Sequence, residues 1–187
     1  CVTPVEGDPH TAHNFAVEIG SGFATFGGAS SPFTKVAGVG FGALPTRDQI
    51  SDVENRVTEA GGTVQFEISQ LAEPGLAEDL TSRGYRLVSF ENVLGRVVNA
   101  EDLRDTDPLE DIRVDRADAR RDEWMNVVVR GALAPDTVGV VQHESFVADE
   151  IVRAEEAGLR AGCRIYLATL DGAPVGGGGL RMIDGIA

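Results

Sequence analysis

Apolar and polar residues alternate with the period of a β-strand in several short stretches of the chain. Residues 15–19 and 23–26 alternate in this way on either side of a Ser-Gly turn, which predicts a β-hairpin. The other stretches with a strand pattern lie at residues 35–41, 64–68, 85–98, 112–114, 165–170 and 175–183. The long stretch 85–98 is expected to bend near Glu91 and Asn92.

Two Asp-Gly steps mark tight turns near the end of the sequence. Asp171-Gly172 separates the last two predicted strands, and Asp184-Gly185 follows them. A type I′ turn requires positive φ at both central residues, which Asp-Gly tolerates well, so an antiparallel meander is predicted here. Within it, the four glycines from Gly176 to Gly179 predict a strand that packs close to a neighbour rather than a phosphate-binding loop.

Helical spacing of apolar residues predicts four helices. In the first, Thr46 and Gln49 form a T-x-x-Q capping box, Ile50, Val53 and Val57 recur on one face, and a Gly-Gly pair ends the helix. The others are predicted at about residues 74–83, 120–133 and 143–157, with Gly158 as the end of the last. The acidic segment between residues 99 and 111 is predicted to be a linker, or else a surface loop inside one domain.

Composition narrows the classes of partner. The chain has 187 residues, 42% hydrophobic and 25% charged, and a net charge of −14, which argues against nucleic acid and anionic membranes as partners. No apolar run approaches the ~18 residues of a membrane span. With only Cys1 and Cys163 a reducing cytoplasm is the expected location, and His10, His13 and His143 lack metal-ligand spacing, so no metal is expected.

Sequence segments of both halves resemble one enzyme family. The segments IRVDRADARRDEWMNVVVRGALAPD, HESFVADEIV and RIYLATLDGAPVGGGGLRMIDGIA resemble the front half of a GNAT-family N-acetyltransferase. The segments KVAGVGF, TVQFEIS, PGLAEDLTSRG and YRLVSFENVLGRVV resemble the back half of the same fold. The whole is similar to bacterial two-lobed GNAT proteins with a degenerate N-terminal lobe.

The resemblance implies a fold class and a domain division. The fold class is α/β (α+β), with a GNAT-like mixed, mostly antiparallel sheet flanked by helices, present as two partial lobes. The lobes would comprise residues 1–99 and 112–187, joined by an acidic linker at 100–111. An alternative is that both halves pack as one composite sheet. The unpaired edge of the strand at 175–183 is expected to form a contact, for example in a homodimer.

The resemblance also implies an activity: transfer of acetyl from acetyl-CoA to a small-molecule or peptide amine. The family grips acetyl-CoA with a Q/R-x-x-G-x-G/A loop, whose place in the second half would lie beyond Ala187. In the first half this place reads GALPTRDQI, where Pro45 removes an amide donor, so a structural turn is expected. The chain is therefore expected to be a fragment that is inactive alone; the alternative is a non-catalytic GNAT-like binding protein.

Four residues are candidates for the implied site. Glu144 and Asp184 are candidate catalytic bases. His143 and Phe146 are candidate substrate-binding residues, since the family builds part of its acceptor pocket where the second helix begins. The competing interpretations are an ordinary helix-start residue for His143 and the first residue of a turn for Asp184. Cys163 is expected to be a small apolar filler rather than a nucleophile.

Overall fold

A computed structural model describes residues 14–102, 111–134, 138 and 145–187. Over these ranges the protein is a mixed α/β structure with two antiparallel three-stranded sheets and four α-helices. It divides into two compact units: one holds the described residues up to Leu87 together with Phe146–Ala157, and the other holds the remainder. The predicted lobes at 1–99 and 112–187 stay a prediction, because compactness alone does not define a folding domain.

The sheet of the first unit is the predicted hairpin with a third strand added. Strands β1 (Phe15–Ile19), β2 (Gly22–Phe26) and β3 (Lys35–Ala37) are antiparallel in the order β1-β2-β3. Phe15 lies opposite Phe26, so the alternation along each strand sends one set of side chains inward. Strand β3 is shorter than the predicted 35–41, because Gly38 adopts a φ of 75° and ends the extended backbone.

Two helices cover the inner face of this sheet. Helix α1 (Arg47–Glu59) and helix α2 (Pro74–Ser82) form where the apolar spacing and the capping box predicted them. Their buried side chains join those of β1, β2 and β3 in one apolar core. The buried helix residues are Ile50, Val53, Val57, Leu76 and Leu80. The predicted inner face of α1 is confirmed.

The strand predicted at residues 64–68 is wrong in extent. Only one parallel bridge forms, between Val36 and Phe66. The Val36 amide donates to the Gln65 carbonyl over 2.8 Å, and the Glu67 amide donates to the Val36 carbonyl over 2.9 Å. The ladder stops there because β3 itself ends one residue after Val36.

The long strand predicted at residues 85–98 is also wrong. Tyr85 is anchored, since its amide donates to the Leu80 carbonyl over 3.0 Å and its ring meets that of Phe66 edge-on at 5.1 Å. Beyond Tyr85 no strand forms as far as residue 102, and residues 86–101 are exposed. Residues 85–98 have a strand pattern but find no ladder partner among the described residues.

The second unit contains a separate sheet. Strands β4 (Ile112–Arg116), β5 (Arg164–Leu170) and β6 (Ala173–Leu180) are antiparallel in the order β4-β5-β6. The described strands thus form two sheets and not one composite sheet. The turn between β5 and β6 has φ values of 51° at Asp171 and 80° at Gly172, which confirms the predicted Asp-Gly hairpin.

Helix α3 (Arg121–Leu133) packs on β5 and β6, and a short 3₁₀ turn (Asp118–Arg120) precedes it. Ala117, Trp124, Ile165 and Leu167 form the small core of this unit. Helix α4 (Ala148–Arg160) divides between the units, with its residues up to Ala157 in the first. It continues past the predicted end at Gly158, because the left-handed residue that ends it is Gly162, with a φ of 86°.

Candidate functional site

The turn from β3 into α1 is where the sequence resemblance predicts the counterpart of a coenzyme-binding loop. Gly38 and Gly40 both have positive φ, so the backbone turns sharply after β3. A Cβ built on Gly40 would lie 2.6 Å from the Cβ of Ala72, and the Gly40 carbonyl accepts from the Glu73 amide over 3.0 Å. These glycines therefore let the turn pack against the start of α2.

The β1–β2 hairpin closes the same turn from its other side. The hydroxyl of Ser21 donates to the Gly38 carbonyl over 3.3 Å and accepts from the Phe41 amide over 3.4 Å. A Cβ built on Gly20 would lie 2.6 Å from the Ala43 carbonyl oxygen. The hairpin thus sits against the loop, and the Phe41 amide already has an acceptor within the protein.

The N-terminus of α1 is closed by its own capping box. The Gln49 amide donates to the Thr46 hydroxyl over 3.2 Å, and the Thr46 amide donates to the Gln49 side-chain oxygen over 2.9 Å. Asp48 adds a negative charge in the first turn, where a bound anion would benefit from the helix dipole. Pro45 has no amide to donate.

Taken together, these features do not fit a pyrophosphate group. A pyrophosphate cradle needs several free amides converging on the anion. Here Thr46, Gln49 and Phe41 donate to protein oxygens, Pro45 cannot donate, and the Asp48 carboxylate repels negative charge. The β3–α1 turn is a packing and capping structure.

A polar network joins α1 to the end of α2. The Arg83 guanidinium donates to both carboxylate oxygens of Glu54, over 3.2 Å and 2.6 Å, and to the Ser51 hydroxyl over 2.8 Å. The Tyr85 hydroxyl donates to Glu54 over 3.1 Å. The hydrogen bond from Arg83 holds the pKa of Glu54 below its usual value, while burial and then the Glu54 charge raise the pKa of Tyr85.

The sequence analysis did not find this network, although one signal for it was present. Glu54 follows Val53 on α1, whose apolar stripe predicts which side of the helix packs inward. Arg83 lies 29 residues from Glu54 along the chain, so no local pattern joins them. The network ties the two helices together, and each of its side chains hydrogen-bonds Arg83 or Glu54, which makes it a structural element.

Of the four predicted site residues, the structure describes Phe146 and Asp184; His143 and Glu144 lie outside the described residues. Phe146 is half-buried just before α4 and belongs to the first unit. Asp184 belongs to the second unit, is exposed, and has a φ of 51° in a turn closed by mutual backbone hydrogen bonds of 2.9 Å between Ile183 and Ile186. Its interpretation as a turn residue is confirmed, and its catalytic role stays a prediction.

Two of the four glycines of β6, Gly177 and Gly179, lie where a side chain would come closer than 3.0 Å to a neighbour. A Cβ built on Gly177 would lie 2.8 Å from Val128 and 2.9 Å from the Trp124 ring. The Trp124 indole N–H donates to the Gly178 carbonyl over 3.2 Å. Gly177 therefore admits a buried tryptophan of α3 against the strand, which confirms the predicted close packing at that position. Half-buried Cys163 packs on the same strand, since a Cβ built on Gly179 would lie 2.8 Å from the Cys163 Sγ.

One further carboxylate has an unusual environment. Glu155 is half-buried on α4, one helical turn after the buried Ile151 and so on the same face. Burial alone raises its pKa. Glu155 was not among the residues that the sequence predicted for the site, because an acidic residue on an amphipathic helix usually faces solvent.

Within the described ranges, no three His, Cys, Asp or Glu side chains come together in a way that could hold a metal ion. None of the described helices combines the length and apolar character that crossing a membrane requires. Comparison of the chain with protein-family models, with curated proteins and with solved structures found no match.

Proposed function

We propose that the chain is part of a GNAT-family N-acetyltransferase, built from two partial lobes, that moves an acetyl group from acetyl-CoA to an amine. The observation that carries this proposal is the order of elements after residue 111. Strand β4 is followed by helices α3 and α4 and then by β5 and β6, with β5 central in an antiparallel sheet. A strand, two helices and an antiparallel meander is the order that the resemblance implies for the front half of the family.

The first half of the chain supports the proposal less strongly. Strand β3 leads into α1 and then to the parallel bridge at Phe66, after which α2 begins. A strand, a crossover helix and a parallel partner make up the part of the fold that the family uses for its coenzyme. The β3–α1 turn does not fit a pyrophosphate, so the proposal places coenzyme binding outside the described residues and derives no catalytic step from them.

The candidate residues keep their proposed roles. Glu144 and Asp184 are proposed as bases for the amine, and His143 and Phe146 as parts of the acceptor site. The acceptor would be a small molecule or a peptide, and the location the bacterial cytoplasm.

One observation favours a second function, that of a non-catalytic GNAT-like binding protein. The capping box at Thr46 and the carboxylate of Asp48 close the helix N-terminus that a coenzyme would need. A lobe closed in this way would serve for packing or for contact with a partner.

The test compares residues 1–187 with the protein expressed from the complete native reading frame. Calorimetric titration with acetyl-CoA and an acetyl-transfer assay over a panel of small amines and peptides are run on both. We expect weak or no binding to residues 1–187, and binding and acetyl transfer by the complete protein. Failure of the complete protein to bind acetyl-CoA would overturn the enzyme proposal in favour of the binding protein.

A matched pair of variants tests Asp184 in the complete protein. Asn tolerates positive φ at least as well as Asp, so Asp184→Asn keeps the turn and removes only the charge. Asp171→Asn makes the same change in the other Asp-Gly turn and serves as the control. A loss of acetyl transfer in Asp184→Asn alone supports a base; equal activity in both variants removes Asp184 from the site.

A further inference from the structure

Residues 87–98, here called the exposed apolar segment, leave large apolar side chains in solvent. Seven of them are exposed by between 60% and 97%. They are Leu87, Val88, Phe90, Val93, Leu94, Val97 and Val98. Monomeric proteins rarely leave so many adjacent apolar residues uncovered, and such a patch marks an interaction surface.

Among the described residues, the backbone of this segment also lacks strand pairing. No backbone hydrogen bond joins residues 88–98 to the other described residues of the second unit. The apolar residues occupy both odd and even positions, which is the pattern of a strand covered on both faces. An extended segment with free amides and carbonyls is a template for pairing with another strand.

We propose that the exposed apolar segment pairs, as an antiparallel strand, with the same segment of a second copy of this chain. The proposal is independent of the enzymatic function proposed above. A two-fold axis makes such a contact self-complementary, since each residue meets on the second copy the residue that meets it in return.

The size of the segment suits a stable dimer. Fully burying one Val, Leu or Phe side chain removes roughly 100 Å² of apolar surface from water. Seven such side chains on each of two copies amount to about 1,400 Å², inside the ~1,200–2,000 Å² of specific interfaces. Strand pairing alone leaves the two faces of the paired strands partly open, so about 1,400 Å² is the largest area that the segment can contribute.

The charge distribution also favours the exposed apolar segment as the contact between two copies. The chain carries a net charge of −14, so two copies repel each other over most of their surface. Between residues 86 and 100 the only acidic residue is Glu91, against Arg86 and Arg96. Two copies can thus approach at this segment without bringing acidic surfaces together.

Symmetry restricts the register, because in an antiparallel pair about a two-fold axis a residue on the axis meets its own copy. With Val93 on the axis, Val88 faces Val98 of the second copy, and Phe90 faces the Arg96 of the second copy in a cation–π pair. Moving the axis by one residue puts Glu91 opposite a valine, either Val93 or Val97. The register centred on Val93 avoids that burial of a charge.

Cysteine cross-linking tests the register. Directly opposite residues of antiparallel strands lie about 4.5–5.5 Å apart, within disulfide range. In a chain with Cys1→Ser and Cys163→Ser, we expect mild oxidation of Val93→Cys to give a covalent dimer on a non-reducing gel. Leu71→Cys, at an isolated apolar residue that is 85% exposed, serves as the control for random collision. Equal cross-linking of both variants, or none of Val93→Cys, would overturn the proposed pairing.

A second measurement covers the case in which a cysteine variant misfolds. Light scattering of the unmodified chain is expected to give twice the chain mass, and Val93→Lys with Leu94→Lys the single mass. Leu71→Lys should remain dimeric, and the fluorescence of the single tryptophan should show that all variants are folded. The proposal would be contradicted if the unmodified chain were monomeric at every concentration. Protection of the amides of residues 88–98 from hydrogen exchange in such a monomer would show that the segment pairs within its own chain instead.

Discussion

At the scale of single residues, Gly177 and Gly178 are adjacent in β6 and differ in what a side chain would meet. A Cβ at Gly177 would approach Val128 and Trp124 closer than 3.0 Å, whereas a Cβ at Gly178 would meet nothing within 4 Å. We expect Gly177→Ala to lower the free energy of unfolding by about 1–3 kcal/mol through overpacking, and Gly178→Ala to be nearly neutral. Urea denaturation followed by tryptophan fluorescence measures both. Equal effects would mean that α3 does not pack on β6 as described.

Arg83 is the second residue whose environment gives a definite expectation. Arg83→Met leaves the half-buried Glu54 without its main donor, which costs about 1–3 kcal/mol. Arg47→Met removes the exposed pair with Asp79, over 3.4 Å, and should cost less than ~1 kcal/mol.

The difference in unfolding free energy between Arg83→Met and the unmodified protein should depend on pH, in the direction set by the pKa shift of Glu54. The pKa of Glu54 is lowered by Arg83 from its usual 4.5, so the stabilisation is complete above pH 4.5 and is lost as the pH falls through the lowered folded value. Denaturation of Arg83→Met and of the unmodified protein at neutral pH and at successive values below 4.5 should show their difference shrinking. A difference independent of pH would contradict the ion pair.

For Glu155 the change of stability with pH has the opposite direction to that for Glu54. Burial raises its pKa, so the folded state is favoured when Glu155 is protonated, and stability falls as the pH rises through the raised value. We expect Glu155→Gln to raise the free energy of unfolding at neutral pH and to make little difference at pH values below 4.5. Exposed Glu78→Gln is the matched control. Denaturation at both pH values decides this, and a destabilising Glu155→Gln would show that the carboxylate has a stabilising partner.

At the scale of elements, the capping box is the feature that begins α1. Thr46→Ala removes the acceptor of the Gln49 amide, and such losses cost about 0.5–2 kcal/mol. Thr58→Ala, at an exposed position inside the same helix, should be neutral or slightly stabilising because alanine has the higher helix propensity. Thermal unfolding by circular dichroism compares the two. An equal cost would assign the effect to something other than the cap.

The elements that could be predicted from the sequence are those determined locally. The Thr46–Gln49 box and the Asp171-Gly172 turn each need only a few adjacent residues, and both formed as expected. Strands are different, because a strand needs a partner as well as a pattern. Residues 64–68 obtained one bridge because β3 ended early, and residues 85–98 obtained no ladder partner among the residues that the structure describes.

The candidate site follows the same rule. Asp184 could be placed in its turn from the Asp-Gly step alone. The Glu54–Arg83 pair and the burial of Glu155 could not, because they depend on which helices pack together. The sequence predicted that the glycine run packs closely against a neighbour, but it did not identify Trp124 as the residue that packs on Gly177.

At the scale of the whole molecule, the net charge of −14 determines how association should respond to salt. Raising the ionic strength from ~0.01 M to ~0.15 M shortens the Debye length from about 30 Å to about 8 Å and screens the repulsion between two acidic chains. A dimer held by apolar side chains of residues 87–98 should therefore associate more tightly as salt is added. An interface held by ion pairs would weaken instead.

Sedimentation equilibrium at the two ionic strengths measures this change in the dissociation constant. The variant carrying Val93→Lys and Leu94→Lys provides the comparison, since it keeps nearly the whole acidic charge but loses apolar surface at the centre of the segment. We expect it to remain monomeric at both ionic strengths, because screening removes repulsion without supplying any attraction. Association that weakens with salt in the unmodified chain would show that charged groups, and not the exposed apolar segment, hold two copies together.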